Sequence, residues 1–581
     1  RPEGPLLNSI FSLNNFNGEL WGVSGGYTQF YNFSGGIIYS GISHFKNEEW
    51  VNIPYDSISN VIDNPRNLSH IAINPLNPNQ VFISSYFTGL IEINDNQVTG
   101  LFDESNSTLA PFVEDINLTL TSTYDSNGAL WLMNGRVTKP LNKYENNNWS
   151  SFDFSDIIAN PLTGNLGYGD IVIDPSDTKF IASYALGVIG FNENNGNQLL
   201  KKVSSDEANM PTTDVRSLAL DKRNQLWIGT ALGLRVLFNP SAFFDQENVR
   251  VDEIIIEEDG IAKELLADQF ISDIKVDGSN NKWIATIGSG VFYLSSDGQQ
   301  TLFHFTTSNS PLPSNNVNDI SIYESEGIVY MATNRGLVSF KAGGSSPLED
   351  LQSAYAYPNP VRPSFDIVEQ KVKIKDISEN VNIKITDIEG NLVAEAQSRI
   401  NQRYRGFNLE IDGGTAFWNG KNLANNIVAS GVYLVMLSDL DTFETKVLKI
   451  MVVKETKLNH LYTSLHTHIL KSAIVMFLSE VLSNILKEEE QDATLFSYIE
   501  TSLQWFDTHT EYSNFHLLFL LKITKYLGFY PDEKNTDYAF FNLSDGKFEN
   551  KKLNRYSISG DNLILLKTLL GTTFDALSSV R

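Results

Sequence analysis

Over the first 345 residues one unit recurs: a β-rich strand, a polar turn, an aromatic residue opening a second strand, then Ser or Thr, then Gly. The clearest copies are Asn224-Gln225-Leu226-Trp227-Ile228-Gly229-Thr230 with Gly233, and Asn281-Lys282-Trp283-Ile284-Ala285-Thr286 with Gly290. The same order is met at Trp21, Phe82, Trp131, Phe180 and Tyr330, which makes seven copies, and from Phe82 onward the aromatic returns every 47–56 residues. That is the period of a small four-stranded sheet. Such a sheet has two apolar faces, and a ring of sheets buries both without leaving long free edges. Residues 1–344 are therefore expected to form about seven β-propeller blades, with Trp227 and Trp283 buried at equivalent places between neighbouring sheets. The last copy stops after about three strands, so closure calls for a strand from Arg1 to Asn8 or from before Arg1, or else the blades belong to two propellers. The Asp-rich turns, such as Asp125-Ser126-Asn127-Gly128 and Asp277-Gly278-Ser279-Asn280, lack the spacing of a calcium loop and read as hairpin chemistry. The recurring aromatics read as packing between blades in preference to a sugar-binding surface.

Gly343-Gly344-Ser345-Ser346-Pro347 has the composition of a linker. Beyond it, Val381 to Ile385 alternates, Asp387-Ile388-Glu389-Gly390-Asn391 turns, and strands are expected near Phe417-Trp418, Gly431 to Val435 and Lys446 to Lys454. Residues 355–454 thus predict a small antiparallel β-sandwich. From Leu461 the period changes, with almost no Gly or Pro. Leu461, Leu465, Ile469, Ala473, Met476, Phe477, Val481, Ile485 and Leu486 fit one helix face, ending in the charged run Lys487-Glu488-Glu489-Glu490. Further apolar sets around Leu495 to Phe506, Phe515 to Tyr526 and Asp561 to Ala576 complete an all-α bundle over residues 461–581. His466 and His468, two apart on that helix, point too far apart to share a metal.

A net charge of −26 opposes non-specific binding to phosphate backbones. There is no cysteine, which removes disulfides, zinc thiolates and thiol nucleophiles. No ordered nucleophile and base pair, phosphate loop or metal constellation is visible, so no catalytic, cofactor or metal residue is assigned and a non-enzymatic protein is expected. No apolar run reaches the ~20 residues of a membrane span. The opening Arg1-Pro2-Glu3-Gly4, without Met, is expected to follow a removed signal segment or, the favoured reading, to lie inside a longer protein.

The Trp-Ile-Gly-Thr-x-x-Gly wording resembles the two-component-regulator propeller repeat. In the sandwich, Tyr357-Pro358-Asn359-Pro360, the turn at Gly390, Trp418-x-Gly420, Ser430-Gly431-Val432-Tyr433 and Lys449-Ile450-x-Val452-x-Lys454 resemble, in order, the C-terminal sorting domain of the type IX secretion system. Propeller repeats followed by that domain are similar to the PorZ family. The resemblance implies a non-enzymatic cell-surface scaffold that recognises anionic lipopolysaccharide and supports the PorU sortase. That family normally carries two propellers and ends at the sandwich. The helical part, through Lys471-Ser472-Ala473, Phe477 to Leu482, Leu503-Gln504-Trp505, Asn514-Phe515-His516 and Leu527-Gly528-Phe529-Tyr530-Pro531, resembles the C-terminal helical domain of the RecO family of DNA-recombination mediators. That family works in the cytoplasm, binds DNA largely through an N-terminal OB fold and often holds zinc with cysteines. Here the corresponding stretch is Asp537 to Asn542, so neither zinc nor DNA is carried over, and residues 455–581 are expected to be a foreign continuation fused or mis-joined to the surface protein.

Overall fold

The computed structural model describes every residue except 1–3, 26–36, 115, 163–166, 205, 259, 342–344, 455–459, 487–491 and 580–581. Arg1-Pro2-Glu3, Gly343-Gly344 and the charged run after Leu486 therefore lie outside the described residues. The chain divides into two compact units, Arg1–Glu455 and Thr456–Arg581.

The first unit opens with seven antiparallel sheets whose strands follow chain order. Their inner strands are Ser12–Phe16, Leu68–Ile73, Thr119–Tyr124, Tyr168–Ile173, Val215–Leu220, Ile271–Val276 and Val317–Tyr323. Five blades have four strands, while the fifth and seventh have three. The ring closes between the seventh and first inner strands without a further strand. Asn318 Nδ2 donates to the Ile10 carbonyl at 2.7 Å, and the Leu13 N–H donates to Asp319 Oδ2 at 2.7 Å. This corrects the expectation that a strand from Arg1 to Asn8 is needed, since the described part of that stretch is not a strand.

The contact at Leu13 belongs to a series. In the second to seventh blades the inner strand shifts register against its neighbour two to three residues into the pairing. Beyond this bulge, and at Leu13 of the first blade, which has none, a backbone N–H of the inner strand faces the preceding blade. A polar side chain of the preceding blade accepts it: Asp170 from Leu218 N–H at 3.2 Å, Ser217 from Ile274 N–H at 2.9 Å, Asp273 from Ile320 N–H at 2.8 Å, and Asp319 from Leu13 N–H. In the third blade His70 Nδ1 accepts from Ser122 N–H at 3.3 Å.

The repeat's wording has a matching physical account. Trp21, Phe82, Trp131, Phe180, Trp227 and Trp283 are each at most 3% exposed, and Tyr330 is half-buried. Each buried Trp removes about 150–250 Å² from water, worth roughly 4–6 kcal/mol before entropy. The indole N–H then needs a partner, and the turn Asp supplies it: Trp131 Nε1 donates to Asp125 at 2.9 Å, Trp283 Nε1 to Asp277 at 3.2 Å and Trp227 Nε1 to Asp221 at 3.4 Å. The other oxygen of each carboxylate caps the turn, as in Asp277 with the N–H groups of Ser279 and Asn281. The Asp residues thus perform turn chemistry. The Thr hydroxyls close the next hairpin by donating to the following Gly carbonyl, Thr230 to Gly233 and Thr286 to Gly290, both at 2.8 Å. Lys282, fully buried, bolts the sixth blade to the fifth: its Nζ reaches Asp221 at 2.9 Å and sits 4.5 Å over the Trp227 ring.

After the propeller come two four-stranded sheets. One orders Tyr355–Tyr357, Val372–Lys375, Thr415–Trp418 and Leu409–Asp412; the other orders Leu392–Gln397, Val381–Asp387, Gly431–Asp439 and Thr445–Val452. Their inner faces share one core that includes Ile383, Ile385, Trp418, Val435, Leu437 and Ile450. The sandwich is joined to the propeller within one unit and is not an isolated body. Ser279 donates to Asp412, Lys375 pairs with Glu326 at 3.6 Å, and Phe303 meets Tyr404 edge-on at 5.1 Å. At this junction burial, and then the charge of Asp412, raise Asp277 to about 7.

The second unit has helices Ile469–Ile485, Ala493–Thr508, Phe515–Ile523 and Asp561–Leu570 about a core that includes Leu478, Phe506, Phe515, Leu518 and Phe519. The first helix presents the opposite face to the one expected. Ile469, Met476 and Phe477 are exposed, whereas Lys471 and Leu478 are buried. The core side is selected by a polar anchor: Lys471 Nζ donates to Ser464 Oγ and the Asp507 carbonyl at 2.8 and 2.9 Å, while the Asp507 carboxylate accepts from the N–H groups of Thr463, Ser464 and Leu465. His466 and His468 precede this helix instead of lying on it, and both are exposed. The unit also holds a small sheet, Phe540–Asn542, Lys547–Glu549 and Ser557–Ile558, that the helical period did not anticipate.

Two outcomes follow from this architecture. Asp319→Ala leaves the Leu13 N–H without its acceptor at the closing step and is expected to cost about 1–3 kcal/mol, read as a lower urea midpoint of the first unit. Asp277 has a raised pKa, so its stabilising contribution is complete below the unfolded value of about 4 and is lost as pH rises through about 7. Relative to Asp277→Asn, the unsubstituted chain should therefore lose stability across that window, measured by urea titration at several pH values.

Candidate functional site

The residues singled out in the sandwich lie far apart in sequence and converge at one end of it. Gly431 pairs with Val452 and Tyr433 with Ile450, while Asp387, opening the turn that contains Gly390, stands opposite Tyr433. Trp418 is fully buried, packs 5.5 Å from the Tyr433 ring and donates its Nε1 to the Lys421 carbonyl at 3.1 Å. Tyr433 OH donates to the Ala429 carbonyl at 2.9 Å. The turn needs Gly390, whose φ is +90°, and Gly420 has φ +68° with Ile367 only 2.4 Å from where a Cβ would stand.

The opening Tyr357-Pro358-Asn359-Pro360 lies against the closing strand. Asn359 Nδ2 donates to the Lys449 carbonyl at 2.8 Å and its Oδ1 accepts from the Met451 N–H at 3.0 Å. Val361 follows, donating to the Met451 carbonyl at 2.8 Å and accepting from Val453 N–H at 2.9 Å. Tyr357, Pro360 and Lys449 are exposed and Pro358 is half-buried. Gly431 is the exception to a packing account: it is exposed, and a Cβ there would meet only the Tyr433 ring at 3.9 Å. The Asn359 clamp and the burial of Val361 were not read from the sequence, although Asn between two prolines marked the place.

The propeller axis holds a cavity of about 440 Å³. Asp170, Asp273 and Asp319 surround Lys275, whose Nζ donates to Asp273 at 2.6 Å and lies 3.9 Å from Asp319. Burial raises Asp170, and burial with the neighbouring Asp273 charge raises Asp319. Burial acts to lower the Lys275 pKa, but the three carboxylates outweigh it and hold it above the ordinary lysine value. Burial, then the Lys275 charge, lower His70 to about 4, so the ring is neutral near pH 7. Arg216 stands at the cavity wall, 3.9 Å over Tyr184, and pairs with Asp214 at 2.6 Å. These groups serve structural contacts already: the His70 Nδ1 lone pair is taken by the Ser122 N–H, and three of the carboxyls accept backbone N–H groups of the following blade. Among the described residues no group of three or more His, Asp or Glu could hold a metal ion.

In the second unit, the stretch Asp537 to Asn542 packs through its own side chains. Phe541 and Phe548 meet at 4.9 Å, and the Asn542 amide reaches Asp545 and Glu549 at 2.8 and 2.9 Å. No helix among the described residues is long and apolar enough to cross a membrane.

Comparison with known proteins divides at the same place as the fold. Residues 466–581 match the family model for the recombination protein O C terminal, and residues 209–231 match the two component regulator propeller. The DNA repair protein RecO of Christiangramia forsetii is 49% identical over 133 residues, 23% of this chain and 56% of that relative. RecO of Flavobacterium johnsoniae is 46% identical over 122 residues, 21% of this chain and 51% of its own length. The chain thus spans about half the length of the curated relatives it matches. Among solved structures, PorZ of Porphyromonas gingivalis, described as an essential bacterial surface component of the type-IX secretion system, has a TM-score of 0.58 at 24% identity, covering 78% of this chain and 60% of that one. The chain therefore joins a part similar in fold to PorZ to a part that matches the C-terminal family of RecO.

Proposed function

We propose that the first unit acts at the cell surface as a non-enzymatic scaffold of the type IX attachment complex, recognising anionic lipopolysaccharide and supporting the PorU sortase at the outer membrane. Three functional parts are proposed, residues 1–344 as one propeller, 355–454 as a sorting-type sandwich and 461–581 as a RecO-like helical part. The carrying observation is the convergence of five separate sequence motifs on one end of the sandwich, beside a propeller similar in fold to PorZ. Tyr357, Pro358, Asn359, Pro360, Gly390, Trp418, Gly420, Gly431, Tyr433 and Lys449 build that end, and it is the proposed surface read by the secretion machinery. The full chain, immobilised, should retain anionic lipopolysaccharide and release it on addition of salt, while a neutral polysaccharide passes through. Equal passage of both would overturn the reading.

A second reading is favoured by the close similarity of residues 466–581 to RecO: a recombination and repair mediator represented by its C-terminal part, working in the cytoplasm. The net charge of −26 opposes DNA, and the described residues of the second unit form helices and one small sheet. Fluorescence anisotropy at low salt is expected to give weak or undetectable binding of single-stranded DNA. Binding near micromolar or tighter, with a steep salt dependence, would favour the second reading.

A further inference from the structure

A cleft of about 480 Å³ lies between the propeller and the sandwich within the first unit. Lys222 and Arg223, on a turn of the fifth blade, line one wall; Arg399, Arg403 and Arg405, on the loop after Leu392–Gln397, line the other. Five cations gather here in a chain that has 69 acidic and 43 basic residues.

How they are held is more informative than their number. Lys222 Nζ donates to the Gly278 carbonyl at 2.5 Å, Arg223 to Ser296 Oγ at 3.0 Å and Arg399 to Asn380 Oδ1 at 3.1 Å. These partners are neutral: they orient the cations without cancelling their charge. Against burial, hydrogen bonds from Ser295 and the Gln299 N–H lower the pKa of Asp297; the Arg405 charge adds to this, without an ion pair between the two. Only Arg403 is neutralised, by Asp412 at 2.9 Å, and Glu379 is the other acid on the lining. Among the described residues the side-chain nitrogens of Lys222, Arg223, Arg399 and Arg405 have no carboxylate oxygen within 4 Å, in contrast to paired cations such as Lys46 with Glu19, Arg235 with Glu264 and Lys371 with Glu410.

Like charges gathered this way repel one another unless an anion enters. Guanidinium forks match the oxygen geometry of phosphate esters, and cations on two facing walls suit a ligand with more than one anionic group. We propose that this cleft is a binding site for a ligand bearing clustered phosphate groups. Applied to lipopolysaccharide the inference rests on the first reading above, for which it supplies the contact surface; as a phosphate site it stands without it.

The test uses the full chain and inositol hexakisphosphate as probe, with unphosphorylated inositol as control, in calorimetric titrations at low and higher salt. Arg223→Gln/Arg399→Gln/Arg405→Gln should weaken binding about tenfold or more and flatten its salt dependence, as expected for lost charge-assisted bonds. Arg250→Gln/Arg335→Gln, at exposed cations away from the cleft, should bind as the unsubstituted chain does. The corresponding Lys triple keeps the charges and should retain most of the affinity, which separates loss of charge from loss of fold. Undiminished binding by the Gln triple, loss equal in the Gln and Lys triples, or hexakisphosphate binding no better than inositol would each overturn the proposal. If hexakisphosphate binds in the cleft and anionic lipopolysaccharide is not retained, the site stands and the lipopolysaccharide reading fails.

Discussion

The propeller depends on a run of hydrogen bonds that cross from blade to blade around its axis. Packing of aromatics between sheets is non-directional and tolerates sliding. A side chain of one blade accepting an outward-facing N–H of the next does not, because moving either sheet by one residue leaves a buried donor unpaired. Asp170, Ser217, Asp273 and Asp319 set four consecutive steps, the last of which crosses the gap between the two ends of the ring. Closure is therefore fixed by a register contact, and a seventh blade of three strands suffices.

The same contacts explain the electrostatics of the axis. Burial raises the pKa of Asp170 and Asp319, the neighbouring Asp273 charge adds to both, and Lys275 offsets part of the rise. A cluster that resembles catalytic machinery by its perturbed titration is thus accounted for by the way the blades are stapled. Positive charge without ion-pair partners, at Lys222, Arg223, Arg399 and Arg405, is gathered instead at the junction with the sandwich.

Legibility in the sequence followed the kind of interaction involved. The blade repeat was readable because Trp227 and Trp283 recur with the same turn Asp, and burial of both agrees with the equivalence. The polar residue that joins blades was hidden because Ser, Asp and His share the place and only their acceptor atoms are alike. In the second unit, period alone chose the wrong face of Ile469–Ile485, since an apolar stripe does not reveal that Lys471 is drawn inward by Ser464 and the Asp507 carbonyl. The sandwich motifs could be listed in order, but their meeting at one end depends on the pairing of Gly431–Asp439 with both of its neighbours.

Asn359 gives the sandwich a further property. Its amide occupies the donor and acceptor that Lys449 and Met451 turn outward, and Val361 takes the next pair. The closing strand is therefore no template at that end: an incoming chain cannot extend the sheet there by strand addition without first displacing this segment. The opposite border of the same sheet, Leu392–Gln397, alternates exposed Leu392 and Glu395 with buried Val393, Ala394 and Ala396. Recognition of the motif end by another protein would accordingly proceed through side chains and loops.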